Sequence, residues 1–211
     1  MLTRLQCVSR GTTMALCSLI LAVLLVACGG GGTSGTTSTP TPVPTPTSPP
    51  ATPTPATAAM TSLQGNGFTI SYPQNWQSSK KANNLFTFTD STGNSKMTIT
   101  VAPDPNGTIS ADSVASAALQ AAQVLLKNSQ TVTVPSTTTV GGDSWSQVSA
   151  SGTQRLNNQD TNIQVVVLAD VHPSNTPLSK SYTIVYQAPV ATFSQDNTSY
   201  FQPMLQSFKF A

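Results

Sequence analysis

Between Thr39 and Ala58 the chain places eight prolines, Pro40, Pro42, Pro44, Pro46, Pro49, Pro50, Pro53 and Pro55, most of them next to threonine. Proline fixes φ and carries no amide donor, so a run this dense forbids a helix or an interior strand and favours extended polyproline II. Anything that packs a core must lie outside it. The run therefore divides the chain into residues 1–27, a disordered linker over 28–61 that begins with Gly29 to Gly32, and a domain over 62–211. At about 3.1 Å per residue, roughly 20 stiff residues reach roughly 60 Å. The Thr-Pro density also resembles O-glycosylated stalks.

The first 27 residues have the three parts of a secretory signal. Arg4 and Arg10 give a positive start, with no acidic residue before Asp90, and Met14 to Val26 is apolar apart from Ser18. That apolar stretch falls short of the roughly 20 residues a helix needs to cross a bilayer core. The segment closes on Leu25-Val26-Ala27-Cys28. This order resembles the lipobox of bacterial lipoproteins, which implies cleavage before Cys28 and a diacylglyceryl group on its sulfur. Cys28 is the expected lipid-attachment residue, and two or more acyl chains hold a protein stably on a membrane.

Cysteine and charge bookkeeping then follow from that cleavage. Of the three cysteines, Cys7 and Cys17 leave with the signal and Cys28 is acylated, so no disulfide framework, thiolate metal site or cysteine nucleophile is expected. The balance of 9 basic against 7 acidic residues becomes 7 against 7 once Arg4 and Arg10 are removed, a net charge of zero. No basic face for nucleic acid is implied. Arg155 is the one remaining arginine, glutamate is absent, and solubility rests on Ser, Thr, Asn and Gln.

From Ser62 onward, short alternating runs predict strands. Phe68, Ile70 and Tyr72 alternate up to Pro73; Phe86 and Phe88 share a face of 85–89; Met97, Ile99 and Val101 form a third strand closed by Pro103-Asp104-Pro105-Asn106-Gly107. Ser110 is a candidate N-cap with Asp112 in the first turn, and Val114, Ala117, Ala118, Ala121, Val124 and Leu125 recur at helical spacing to about Lys127. Strands are predicted again over 131–134, 138–140, 144–153, 163–171 and 182–187, with a hairpin tip at 157–160. The near-continuous run from Ile163 to Leu168 predicts a central strand covered on both faces. A second helix is predicted over 191–206, which Pro203 should kink or split.

Gly67-Phe68-Thr69-Ile70-Ser71-Tyr72-Pro73-Gln74-Asn75-Trp76 resembles the opening of PsbP-like and Mog1-like domains, which include DcrB-type and LpqN-type bacterial lipoproteins. Phe201-Gln202-Pro203-Met204-Leu205-Gln206-Ser207-Phe208-Lys209-Phe210 resembles their closing helix. The resemblance implies an α+β fold, an α/β/α sandwich with a mainly antiparallel sheet and two principal helices. It does not imply one function, because such domains serve in photosystem assembly, GTPase-linked transport and cell envelopes.

Candidate chemistry is sparse. His172 is the only histidine, at a strand end before Pro173, and a hydrolase would have to use it with a serine or aspartate neighbour; no Gly-x-Ser-x-Gly elbow is present. Asp104 and Asp112, the nearest carboxylates in sequence, are explained by a turn and a cap. Residues 90–94 read as a hairpin turn rather than a calcium loop, and Gly141-Gly142-Asp143 as a turn lacking the Lys and Ser or Thr of a phosphate loop. No metal ligand set and no cofactor are expected. Trp76 and Trp145, with Tyr72 and Tyr186, are candidates for stacking on a sugar or peptide, set against roles in the core. The chain is thus expected to be a monomeric, lipid-anchored extracytoplasmic binding or assembly module of the cell envelope. Its partner would be an envelope protein or a lipid or glycan; a lipid or glycolipid carrier, and a hydrolase using His172, are the alternatives.

Overall fold

The computed structural model describes residues 59–82 and 84–211. The expected signal, Cys28 and nearly all of the linker lie outside the described residues. The first strand, β1 (Met60–Gln64), begins inside the segment read as the end of the linker, because it has few apolar residues and shares none of the alternation that marks β2 (Phe68–Pro73).

Two antiparallel sheets build an α+β fold. The larger runs β3 (Gln77–Lys81), β4 (Leu85–Thr89), β5 (Lys96–Pro103), β10 (Lys180–Pro189), β9 (Gln159–His172), β8 (Asp143–Leu156) and β6 (Lys127–Thr131), with β7 (Thr137–Val140) also paired to β8. The smaller has order β1-β2-β11, the last being Lys209–Phe210. The turns at 157–158 and 90–94 match their residues. Asn157 and Asn158 take φ of 48° and 64° at the β8–β9 tip, which the short Asn side chain tolerates in a tight hairpin. At the 90–94 turn, the Ser95 amide donates to Asp90 Oδ1 at 3.0 Å, so the hairpin reading holds.

The large sheet separates two apolar cores. Even-numbered residues of β9, Val166 and Leu168, face a core with Phe68, Phe86, Phe88, Ile99, Trp145, Ile184 and Phe208. Odd-numbered Ile163, Val165, Val167 and Ala169 face a second core with Ala115, Leu119, Leu126 and Ala150. Strand β9 is the doubly covered centre that its apolar run predicts. The covering layers differ from the expected sandwich. One face carries helix α1 (Ala111–Val124), but the other carries the small sheet together with a broken helix, so the second layer is mixed.

Ser110 caps α1 as predicted: the Ser113 amide donates to Ser110 Oγ at 3.2 Å. The buried side is only partly the predicted one. Ala115 and Leu119 are buried with Val114, Ala118 and Ala122 packed beside them, while Ala117 and Ala121 are exposed and Val124 and Leu125 are 85% and 68% exposed. Alanine on several faces blurred the periodicity, and Leu126 turns inward only because the chain leaves the helix there to start β6. That strand accordingly runs earlier than the predicted 131–134.

Pro203 splits the second helix. α2 (Phe193–Asp196) opens into a π-helical turn over Asn197–Phe201 and re-forms as α3 (Gln202–Ser207), in whose first turn Pro203 lies. Proline at an N-terminal turn loses no intrahelical bond, and the wide turn before it, where the Gln202 amide reaches Asn197 O, removes the clash with the preceding carbonyl. None of the described helices is long and apolar enough to cross a membrane.

Candidate functional site

The aromatic candidates come first. Trp145 is fully buried, edge-on to Phe208 at 5.3 Å and stacked on Phe210 at 6.0 Å between ring centroids. Its indole Nε1 has no hydrogen-bond partner. Tyr186 is buried against Phe193 and Phe201, and burial pushes its phenol up to about 12. Tyr72 packs on Phe88. Trp145 and Tyr186 belong to the core, and Tyr72 is partly buried against it. Trp76 is also mostly buried, packed on Tyr200 at 5.5 Å and Phe201 at 5.9 Å, but its remaining edge reaches a surface cleft.

That cleft encloses about 340 Å³ between the 90–95 turn and the start of the broken helix. Trp76 and Tyr200 supply its aromatic wall. Its polar wall includes Asn75, Asp90, Asn94 and Asp196. The acids are held in place: Asp90 accepts from Thr92 Oγ1 at 2.5 Å and from the Ser95 amide, and Asp196 Oδ2 accepts from Ser95 Oγ at 2.9 Å and Thr192 Oγ1 at 2.8 Å. Each carboxylate retains lone pairs for a ligand, since two oxygens offer about four acceptor positions. Pro203 contributes at a distance, because the π-turn before it carries Tyr200.

His172 sits at the end of β9 with neighbours that sequence spacing concealed. Its Nδ1 lies 3.0 Å from Asp143 Oδ2, and its ring lies flat on Phe210, centroids 3.8 Å apart and planes 4° apart. Asp170, two residues back on the same strand face, completes a group whose ligand atoms all lie within 4.8 Å of one another. Burial pushes the Asp170 carboxyl above its usual range; its bond to the Val171 backbone opposes this, and the charge of Asp143 adds to the rise. Asp143 and Asp170 are on different strands, and neither had a local signal: Asp143 read as the end of a glycine turn, and Asp170 lay within a predicted strand. Gly141 and Gly142 do make that turn, with φ of 65° and 96°. A side chain at Gly141 would meet the Phe208 carbonyl at 3.1 Å. Asp104 and Asp112 are not brought together into a site; Asp104 accepts from the Ile109 amide and Asp112 from the Ser146 hydroxyl.

An apolar groove runs beside α1. Ala118, Ala121, Ala122 and Leu125 form one wall, and Thr98, Thr100, Thr183 and Val185 of β5 and β10 form its floor.

The geometry defines an antiparallel α+β domain with open clefts at its surface. No protein-family model and no curated protein sequence matches the chain. Among solved structures it is similar to LpqN, a protein involved in cell envelope biogenesis of Mycobacterium tuberculosis, with TM-score 0.44 and 15% identity over 72% of this chain and 91% of that one. A Bacteroides thetaiotaomicron VPI-5482 protein gives TM-score 0.42 and 10% identity over 74% of this chain and 49% of its own, so the chain spans about half that protein's length. PA94 of Pseudomonas aeruginosa gives TM-score 0.38 and 13% identity, covering 70% and 94%.

Proposed function

We propose that the chain is a lipid-anchored, extracytoplasmic lipoprotein that acts without catalysis, as a binding module for a saccharide of the cell envelope. The observation that carries the ligand class is the cleft at Trp76. A sugar ring offers an apolar C–H face and a rim of hydroxyls that both donate and accept. An aromatic edge beside fixed carboxylates and carboxamides complements both. The volume of about 340 Å³ suits one or two sugar rings. The lipobox-like Leu25-Val26-Ala27-Cys28 supports the anchor, and the proline run supports a spacer between membrane and domain.

The test is a tryptophan-fluorescence and calorimetric titration of the full chain with soluble oligosaccharides released from the host's own envelope. Trp76 is the responsive fluorophore, since Trp145 is enclosed. Asn75→Ala and Asp196→Asn should each weaken binding about tenfold, the effect of about 1.4 kcal/mol from one lost charge-assisted or bidentate contact. Equal affinity in both variants would remove the cleft from the reading. Intact mass of the membrane-extracted form tests the anchor: wild type should carry the diacylglyceryl increment on Cys28, and Cys28→Ser should leave the membrane fraction.

A second reading, a lipid or glycolipid carrier, draws on the groove beside α1, whose exposed Leu125 and small alanines would accept an acyl chain. Leu125→Asp should then abolish lipid co-purification while leaving saccharide titrations unchanged. The hydrolase alternative draws on the Asp143–His172 pair, which has the base-and-orienter half of a triad. Among the described residues no serine hydroxyl hydrogen-bonds to His172, and binding rather than turnover is our reading.

A further inference from the structure

We propose that Asp143, Asp170 and His172 form a binding site for a divalent transition-metal cation of the zinc class, with a coordination position left open to solvent. The site is independent of the saccharide cleft. Asp170 and His172 stand at i and i+2 on β9, so the pleat points both side chains to one face. The register Ser146↔Ala169, carried three residues toward the strand end, brings Asp143 abreast of His172. Backbone pairing thus gathers one nitrogen and two carboxylate donors within 4.8 Å. A tetrahedral ion with bonds of about 2.0–2.2 Å needs its ligand atoms roughly 3.3 Å apart, so the group needs only side-chain rotation to close. One pair, His172 Nδ1 and Asp143 Oδ2, already stands at 3.0 Å.

Two further observations favour a cation. The imidazole is clamped face-down on Phe210, itself stacked on Trp145, so the ring plane is fixed while its edge stays half-exposed to solvent. Such orientation of a ligating histidine is what second-shell groups normally supply. The lysine nearest in register is also engaged elsewhere. Lys180, which lies opposite His172 on β10, donates instead to Asn66 Oδ1 at 3.0 Å, and among the described residues Asp170 has no salt bridge. Two carboxylates and one imidazole nitrogen make a mixed nitrogen and oxygen donor set, which suits zinc or manganese. The position is accessible, since Asp143 and His172 side chains are 44% and 40% exposed.

His172 is the only histidine in the chain, which makes the test selective. The full chain, freed of metal, is titrated with Zn²⁺ while the imidazole signals of His172 are followed by NMR and binding by calorimetry. One equivalent should bind, with His172 Nδ1 shifting in step with the calorimetric isotherm. Asp143→Asn and Asp170→Asn should each weaken binding at least tenfold, with unchanged near-ultraviolet circular dichroism showing that the fold is kept. An unshifted imidazole at saturating Zn²⁺, or full affinity retained in the Asp143→Asn, Asp170→Asn double variant, would overturn the site. In the latter case the ion sits elsewhere.

Discussion

Phe208 packs against both sheets at once, and Phe208→Ala tests how far they depend on it. The ring is fully buried, stacked on Phe68 of β2 with planes 13° apart, and edge-on to Trp145 of β8 and to Phe210 of β11 at 5.3 and 5.1 Å. Tyr182 of β10 completes the cluster at 6.5 Å. Removing it takes away contacts with both sheets at once. A buried Phe→Ala change costs about 3–5 kcal/mol, through lost transfer free energy and the cavity left behind. The aromatic pairs place this site at the upper end of that range, since each contributes about 0.5–1.5 kcal/mol beyond its area. With marginal stabilities of about 5–15 kcal/mol, a loss of about 4 kcal/mol removes a large share of the total. At a urea slope of about 2 kcal/mol per molar, the midpoint should fall by about 2 M. Tm should fall by roughly 8–16 °C at 2–4 °C per kcal/mol. Phe208→Leu, which fills most of the volume, should lose only about 1–1.5 kcal/mol. A loss below about 1 kcal/mol in the alanine variant at an unchanged slope, or a leucine variant as unstable as the alanine one, would refute this role for Phe208.

Other outcomes follow from particular residues. Tyr186, whose phenol lies at about 12 against an ordinary value near 10, keeps its full stabilising contribution below pH 10; the unfolded chain ionises first above that, so stability should drop by about 2–3 kcal/mol as pH rises to 12. Denaturant midpoints across pH 9–12 should show the drop in wild type and a smaller one in Tyr186→Phe, where Tyr182, raised mainly by burial, still contributes. Ser110→Ala removes the acceptor for the Ser113 amide and should cost about 1 kcal/mol, whereas Ser110→Gly should cost a few tenths, both read from thermal melts. Gly152→Val places its Cβ 2.9 Å from Leu126 Cβ and 3.0 Å from the Lys127 carbonyl, so urea unfolding should show a loss of about 1–3 kcal/mol from overpacking where β6 leaves α1.

What the sequence disclosed depended on whether burial leaves a local pattern. β4 was legible residue for residue because Phe86 and Phe88 alternate with polar neighbours against one core. β3 was not, because Gln77 to Lys81 is an edge strand exposed along its whole length and has no apolar side to show. The face of α1 was partly misread for the opposite reason: alanine is tolerated both at a close helix–sheet contact and in water, so Ala117 and Ala121 carried a period that only tertiary packing could phase. Pro203 announced a break, and chemistry fixed its place, since the π-turn had to precede the residue without an amide hydrogen. The candidate sites divide similarly. Trp76 was visible as an aromatic within a motif-like strand end, yet its cleft needs Asp196 and Asn94 from elements far away in sequence. His172 was visible too, but its partners are set by strand register. Asp104 and Asp112, close in sequence, point to different neighbours, whereas Asp143 and Asp170 meet across a hairpin.

The pairing of β11 with β2 has a consequence for how the chain comes into being. Thr69, near the start of the domain, pairs with Lys209, near its end, and Phe208 and Phe210 seal the aromatic core beside that pairing. Synthesis proceeds from the amino terminus, so β2 emerges long before its partner and the core stays open until residues 208–210 are free. Contacts of such long range close late and slowly. The aromatic core between the two sheets is therefore among the last parts of this fold to be completed.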